Sequence, residues 1–280
     1  MFSTESTAGV ISTGDRRFAF GENWLRFIAV LDDDRIMEAE KSLCTMLRVQ
    51  SLKDKSFLDV GCGSGLFSLA ARRLGAEVIS FDRDVQCVAC AGELRRWFAA
   101  SGDPAWRIQD GDVLDAAFLK SLGVWDIVYA WGVLHHTGDL WAAMEKTACL
   151  VKPGGSLFIS IYNDQGTWSQ CWLMLKKLYV SSLFGRFLAT FLGTAWFVFG
   201  GLKSDLIHLR NPLASYLNYR KRRGMSIWHD WIDWFGGYPF EVAKPGAVVD
   251  FFVERGFVLT SLRTVGNSLG TNEFVFRRDQ

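Results

Sequence analysis

At 280 residues the chain exceeds one minimal domain and falls short of two average ones, which suits a single α/β domain carrying an addition. Thirty-one Lys and Arg against thirty Asp and Glu leave a net charge of +1, which excludes a global field for nucleic acid or other polyanions. Hydrophobic residues at 49% exclude extended disorder, while twelve Trp and twenty-two Phe exceed the needs of a core and predict an apolar cavity or face.

The first twenty residues are polar and rich in Ser, Thr and Gly, and residues 1–33 read as an N-terminal arm. They lack the apolar stretch of a signal peptide. A cytoplasmic protein is therefore expected, with reduced thiols at Cys44, Cys62, Cys87, Cys90, Cys149 and Cys171. Cys87 and Cys90 form a C-x-x-C without a second pair, so two small residues on one helix face are expected and no metal site.

From Asp34 the spacing of Ile36, Ala39, Leu43, Met46 and Leu47 predicts an amphipathic helix. SFLDVG reads as a buried strand, and GLFSLAARRLG as a helix closed by Gly75. The alternation continues with strand EVISF, helix DVQCVACAGELRRWFAA, strand WRIQ, a polar turn and strand WDIVYA. Helix LWAAMEKTACLV, turn KPGG and strand SLFISIY follow. Strands separated by helices of this length predict βαβ units and a parallel sheet. After Tyr162 the alternation lapses for about seventy residues.

Within that stretch residues 187–202 carry no charge, but they fall short of the ~20 residues of a bilayer span and hold several glycines. A helical lid, or a hairpin in weak contact with a membrane surface, is expected there. Trp228, Trp231 and Trp234 share a helix face, beside the basic cluster Arg220, Lys221, Arg222 and Arg223, which reads as a solvated face. From Lys244, KPGAVVDFFVERG predicts a helix, and FVLTSLRTV with NEFVFRR an antiparallel pair. The expected organisation is arm 1–33, core 34–163, helical lid 164–241, and a C-terminal segment 242–280 completing the core.

The chemistry sits at the strand ends. Asp59 closes the first strand, before Gly61, Gly63 and Gly65, whose spacing departs from the G-x-G-x-x-G that cradles a pyrophosphate. A carboxylate there suits an ammonium group. Asp82 ends the second strand, where an acid holds both ribose hydroxyls, and Asp112 follows the third, in reach of an adenine amine. Ammonium, ribose and adenine without a phosphate cradle describe S-adenosylmethionine. Cys62, Arg83 and Val113, from the same turns, and Trp131, at the end of the fourth strand, complete the candidate cofactor contacts.

LDVGCGSG, FDRD, GDVLD, WDIVYAWGVLHH and LVKPGGSLFISIYN, over residues 57–163, resemble the class I S-adenosylmethionine-dependent methyltransferases. They are most similar to the subgroup of ubiquinone-biosynthesis O-methyltransferases, which share LHH. The resemblance implies a Rossmann-like sheet of seven strands, mostly parallel, with order 3-2-1-4-5-7-6 and an antiparallel last strand. The insertion and the run MSIWHDWIDWFGGYPFEVAKP depart from those enzymes, so their quinol substrate is not implied.

Methyl transfer to an oxygen, sulfur or nitrogen of a small, largely apolar molecule is the expected reaction, oxygen first. His135 or His136 is a candidate base, with His136 the more solvated. Tyr162 and Asn163 end the fifth strand, and Tyr238 and Glu241 lie in GGYPFE; all four are expected around the acceptor. The net charge and the lack of an N/D-P-P-Y motif argue against a nucleic-acid substrate. A protein that binds the nucleoside without chemistry is the alternative of a different class. Nothing in the sequence sets the oligomeric state.

Overall fold

The computed structural model describes residues 21–29, 31–98, 103–207, 211 and 234–280. The first twenty residues, the cluster Arg220–Arg223, and Trp228, His229, Asp230 and Trp231 lie outside that set. Seven strands form one sheet in the order β3-β2-β1-β4-β5-β7-β6, the order that the resemblance implies. They are β1 Ser56–Val60, β2 Glu77–Asp82, β3 Trp106–Asp110, β4 Trp125–Trp131, β5 Val151–Tyr162, β6 Phe257–Arg263 and β7 Thr271–Arg278. β7 runs antiparallel to both neighbours, and the other adjacent strands are parallel.

Burial on both sides explains why β1 and β4 read as unbroken apolar runs: Phe57, Ile127 and Tyr129 face one core cluster, Leu58, Val60 and Val128 the other. The crossover helices are α3 Leu66–Arg73, α4 Val85–Phe98, α5 Ala116–Leu122 and α6 Leu140–Cys149. Cys87 and Cys90 are both buried on α4, as small core residues. α2 Asp33–Leu47 is capped by Asp32, whose carboxylate accepts from the Arg35 N–H, and it buries Ile36, Ala39, Leu43 and Met46.

Four features differ from the sequence reading. Gly21–Ile28, inside the expected arm, is a helix, α1, held to the core by buried Ile28 and by the Gly21 N–H on Asp84 Oδ2 at 3.0 Å. KPGG is not a turn; β5 runs through it, pairing Trp125 with Val151 across a register shift before Ile127. The polar turn after β3 contains α5, because Asp115 caps two N–H groups at its start. Residues 187–202 belong to one uninterrupted helix, α8 Leu183–Ile207.

α8 packs on α7 Thr167–Ser181 to form a helical hairpin. Gly185 and Gly193 face inward, Gly200 faces out, and none of them breaks it. A methyl at Gly193 would stand 2.3 Å from the Phe235 ring, so glycine is what lets the backbone approach. Trp172, Tyr179, Ala189, Phe235 and Phe240 give the insertion an apolar cluster of its own. α9 Pro245–Val253 then returns the chain to the sheet.

Candidate active site

The sheet order reverses between β1 and β4, and a cavity of about 740 Å³ opens at the carboxyl ends of the strands there. That is where open α/β sheets bind ligands. Asp59, Gly61, Cys62, Gly63, Asp82, Arg83, Asp112, Val113 and Trp131 all line it. Gly65 sits one step back, capping α3 with φ +80°. At Gly61 (φ +67°) a Cβ would fall 2.5 Å from Val133 Cγ1, so no side chain fits between the loop and the turn after β4.

Two of the three acids are braced by the fold. Asp82 Oδ2 accepts from the Gly63 N–H and Oδ1 from the Asp84 N–H, both at 2.9 Å, which fixes the carboxylate. Burial pushes its pKa up, against those hydrogen bonds. Asp59 is buried, and Ser68 Oγ donates to its Oδ2 at 2.5 Å. Burial, opposed by that bond and reinforced by the Asp82 charge, raises Asp59 to about 7. Asp112 is divided: Oδ1 accepts from the Leu114 N–H, and Oδ2 lies 3.4 Å from Arg83. Carboxylates therefore dominate this half of the cavity, an environment for a ligand with positive charge.

The other half is aromatic. Tyr162, Trp234, Tyr238 and Pro239 line it with His135 and His136. His135 lies 4.1 Å from the Tyr162 ring and 4.6 Å from His136, between centroids. His136 Nδ1 makes a 2.6 Å hydrogen bond with Pro239 O, which anchors the histidine turn to the insertion. His136 is only partly buried and is the more exposed of the two, as expected, but it does not titrate near neutrality. Burial, with the Lys176 charge behind it, lowers His136 to about 3, and burial lowers His135 too. Lys176 itself is fully buried, its ammonium donating to Trp234 O and lying 4.9 Å from the Phe240 ring.

Asn163 and Glu241 do not line the cavity. The Asn163 amide donates to Gly266 O and Ser268 O and accepts from Asn272, so its side chain is engaged in tying β5 to the β6–β7 connection. Glu241 accepts from the Gly138 and Leu140 N–H groups and so caps the start of α6. Trp131 is oriented by its indole N–H on Glu273 at 3.0 Å.

Among the lining residues that the sequence reading did not name are Trp24, Phe27 and Tyr129. Trp24 and Phe27 come from α1 and meet edge to face at 5.6 Å; a methyl on Gly63 would stand 3.1 Å from the Trp24 indole. The only sequence signal was an aromatic pair inside a segment read as an arm. Tyr129 also lines the cavity, within the strand run WDIVYA.

Residues 35–190 match the family model of the methyltransferase domain. A ubiquinone biosynthesis O-methyltransferase of Proteus mirabilis is 34% identical over 128 residues, 46% of this chain and 49% of the relative. One of Xanthomonas campestris pv. campestris is 38% identical over 106 residues, 38% and 42% of the two chains. The chain thus spans about half the length of these curated relatives. In fold it is similar to magnesium protoporphyrin IX methyltransferase of Synechocystis with bound SAH, at TM-score 0.53 and 15% identity over 92% of this chain and 94% of that one. An O-methyltransferase family protein of Burkholderia thailandensis is similar at TM-score 0.53 and 12% identity, over 88% and 58%. The match covers more than half of the sequence, and the chain belongs to the methyltransferase-domain family.

Proposed function

We propose that the protein is an S-adenosylmethionine-dependent methyltransferase whose acceptor is a small, largely apolar molecule methylated at oxygen. The observation that carries this reading is the division of one cavity into a carboxylate half, ordered Asp59, Asp82, Asp112 along successive strand ends, and an aromatic half. The residues fit the cofactor: Asp59 stands where an ammonium needs a partner, and the Asp82 carboxylate, fixed by the Gly63 and Asp84 N–H groups, stands at the end of the second strand, where a ribose needs an acceptor. S-adenosylmethionine, when bound, supplies an electrophilic methyl carbon. On transfer to an acceptor oxygen the sulfur would keep the carbon–sulfur bonding pair, and the acceptor proton would be left for a neighbouring base of this chain.

The chain's own contribution is positioning and exclusion of water. A histidine at about 3 cannot strip a phenol of pKa near ~10 in the ground state; the mismatch of about seven units amounts to roughly 9–10 kcal/mol. Neutral His136 instead holds the acceptor O–H through Nε2, since Nδ1 is bound to Pro239, and takes the proton only as the methyl arrives. Tyr162, Trp234 and Tyr238 form the walls.

In this organisation residues 34–163 bind the cofactor, 242–280 complete the core, and 164–241 cover the acceptor. The outer face of α8 exposes Phe184, Phe187, Phe191, Leu192, Trp196 and Phe199. Residues 165–204 contain no Asp or Glu, and their exposed cations are Lys177, Arg186 and Lys203. An apolar helix face with cations alone matches an anionic lipid surface, and its Trp168–Trp196 pair, 5.0 Å apart, is of the kind that settles at such a boundary. α8 is long and apolar enough to cross a membrane; its packing on α7 favours a surface position. Flotation with vesicles containing phosphatidylglycerol, reversed by salt, is the expected result; release by detergent alone points to a span instead. Nucleic acid is not a partner in this reading, given the +1 net charge.

The deciding experiment supplies S-adenosylmethionine with a labelled methyl group and screens phenols, carboxylates, thiols and amines. Label appearing in an extractable, apolar, O-methylated product supports the proposal. Label confined to thiols or amines overturns the choice of oxygen, and binding without transfer to any class returns the protein to the nucleoside-sensing alternative.

A further inference from the structure

Tyr129 is 2% exposed, yet it lines the cavity, and its hydroxyl has no hydrogen-bond partner among the described residues. A buried donor left unpaired is costly, and such groups are scarce in folded proteins. The ring cannot swing to relieve it. Phe57 at 5.7 Å, Phe67 at 4.9 Å and Phe158 at 5.1 Å surround it. Tyr129 is also the register partner of Asp59, on the neighbouring strand, so the two side chains leave the sheet on the same face.

What could the hydroxyl serve? The cofactor of the proposed reaction ends in an α-amino acid, which carries a carboxylate beside its ammonium. Asp59 answers the ammonium. Among the described lining residues Arg83 is the one Arg or Lys, and it stands beside Asp112 at the other end of the cavity. The carboxylate must therefore be met by a neutral donor close to Asp59. We propose that Tyr129 is a cofactor-binding residue whose hydroxyl donates a hydrogen bond to the α-carboxylate of S-adenosylmethionine, so that Asp59 and Tyr129 together read the two charges of the amino-acid end.

The proposal rests on the S-adenosylmethionine reading, and its electrostatics agree with it. Burial, with the charges of Asp59 and Glu273 behind it, pushes the phenol far up, so the group stays a donor at every working pH. A carboxylate replaces an unpaired lone environment with a charge-assisted bond.

Calorimetry with two ligands tests it, S-adenosylmethionine and its decarboxylated analogue, on the wild type and on Tyr129→Phe. The wild type is expected to prefer the carboxylated ligand. Tyr129→Phe, which removes an unpaired hydroxyl and keeps the ring, is expected to fold with undiminished thermal stability. Its Kd for S-adenosylmethionine should rise about tenfold or more, and its Kd for the analogue should change less than twofold. An equal loss for both ligands, or no loss for either, overturns the assignment. So does a wild type that binds both equally, a result that needs no variant. A wild type that binds neither overturns the cofactor reading underneath and the proposal with it.

Discussion

The indole N–H of Trp106 donates to Ser80 Oγ at 2.8 Å, at the head of a chain of buried hydroxyls that ends on Asp59. Ser68 Oγ donates its one proton to Asp59 Oδ2, so across the 2.6 Å contact between the two serines Ser80 is the donor, while it accepts from the indole, which can only donate. Three buried donors thus point one way, toward Asp59, and favour its ionised form.

Cofactor affinity should depend on pH through Asp59. Its folded value of about 7 means that a cationic ligand must displace a proton below neutrality, and Kd should rise roughly tenfold per pH unit from 7 downward. Ser68→Ala removes the bond that opposes burial, so the same profile should move to higher pH. Titration calorimetry at pH 5.5 to 8.5 measures both; a flat profile removes Asp59 from contact with the ammonium.

The same shift predicts a conflict between stability and binding. A carboxylate raised from 3.8 to about 7 is protonated more readily when folded, so its contribution to stability is intact below 3.8 and lost as pH rises through 7. The loss is roughly 4 kcal/mol at full burial, at ~1.4 kcal/mol per unit. Asp59→Asn should melt higher than the wild type at pH 8, without ligand, while binding S-adenosylmethionine far more weakly. Equal melting temperatures at pH 8 would contradict this.

Asp82→Ala should weaken cofactor binding by about 1–3 kcal/mol, because two hydrogen bonds to a carboxylate disappear and the Gly63 N–H loses its acceptor. Unchanged affinity in calorimetry would place the ribose elsewhere.

Neither histidine should appear in the kcat profile as a group near 6.5. His136 is lowered to about 3, so its contribution to stability is present above 6.5 and disappears as pH falls toward 3. His136→Gln keeps a hydrogen-bonding side chain against Pro239 and should reduce kcat while flattening acid-side unfolding between those limits. A kcat inflection near 6.5 that vanishes in this variant would restore the histidine as a ground-state base.

Replacing residues 166–233 by a short Gly/Ser linker should leave S-adenosylmethionine affinity within a factor of a few and abolish turnover. Retaining Tyr238–Glu241 matters, because Pro239 O holds His136 and Glu241 caps α6. Retained turnover on any substrate of the intact chain would refute a covering role for the insertion.

The sheet and its strand-end acids were legible because they depend on local pattern: apolar runs buried on both faces, glycines at tight turns, Asp at the ends of β1 and β2. What escaped depends on partners distant in sequence. Asn163 looked like a residue of the crevice, but its amide is engaged by Gly266, Ser268 and Asn272, about a hundred residues on. Glu241 likewise serves α6. His136 loses its proton to burial and to Lys176, and neither effect is written in the residues beside it. α1 was missed because its helix is worth something only once Ile28 finds the core and Trp24 finds Gly63.

The insertion leaves β5 at Asn163 and returns at Ala243, and these two residues form an isolated parallel bridge, with the Ala243 N–H on Tyr162 O at 3.0 Å and the Asp164 N–H on Ala243 O at 3.3 Å. The excursion is thus cinched at its neck. Chain closure entropy grows only as the logarithm of length, about 0.6 kcal/mol per doubling. Behind such a neck the insertion is an exchangeable cassette: it can lengthen or shorten at little entropic cost while β5 keeps its register. Under the proposed function, a lineage carrying this joint could change its methyl acceptor without renegotiating how it holds the methyl donor.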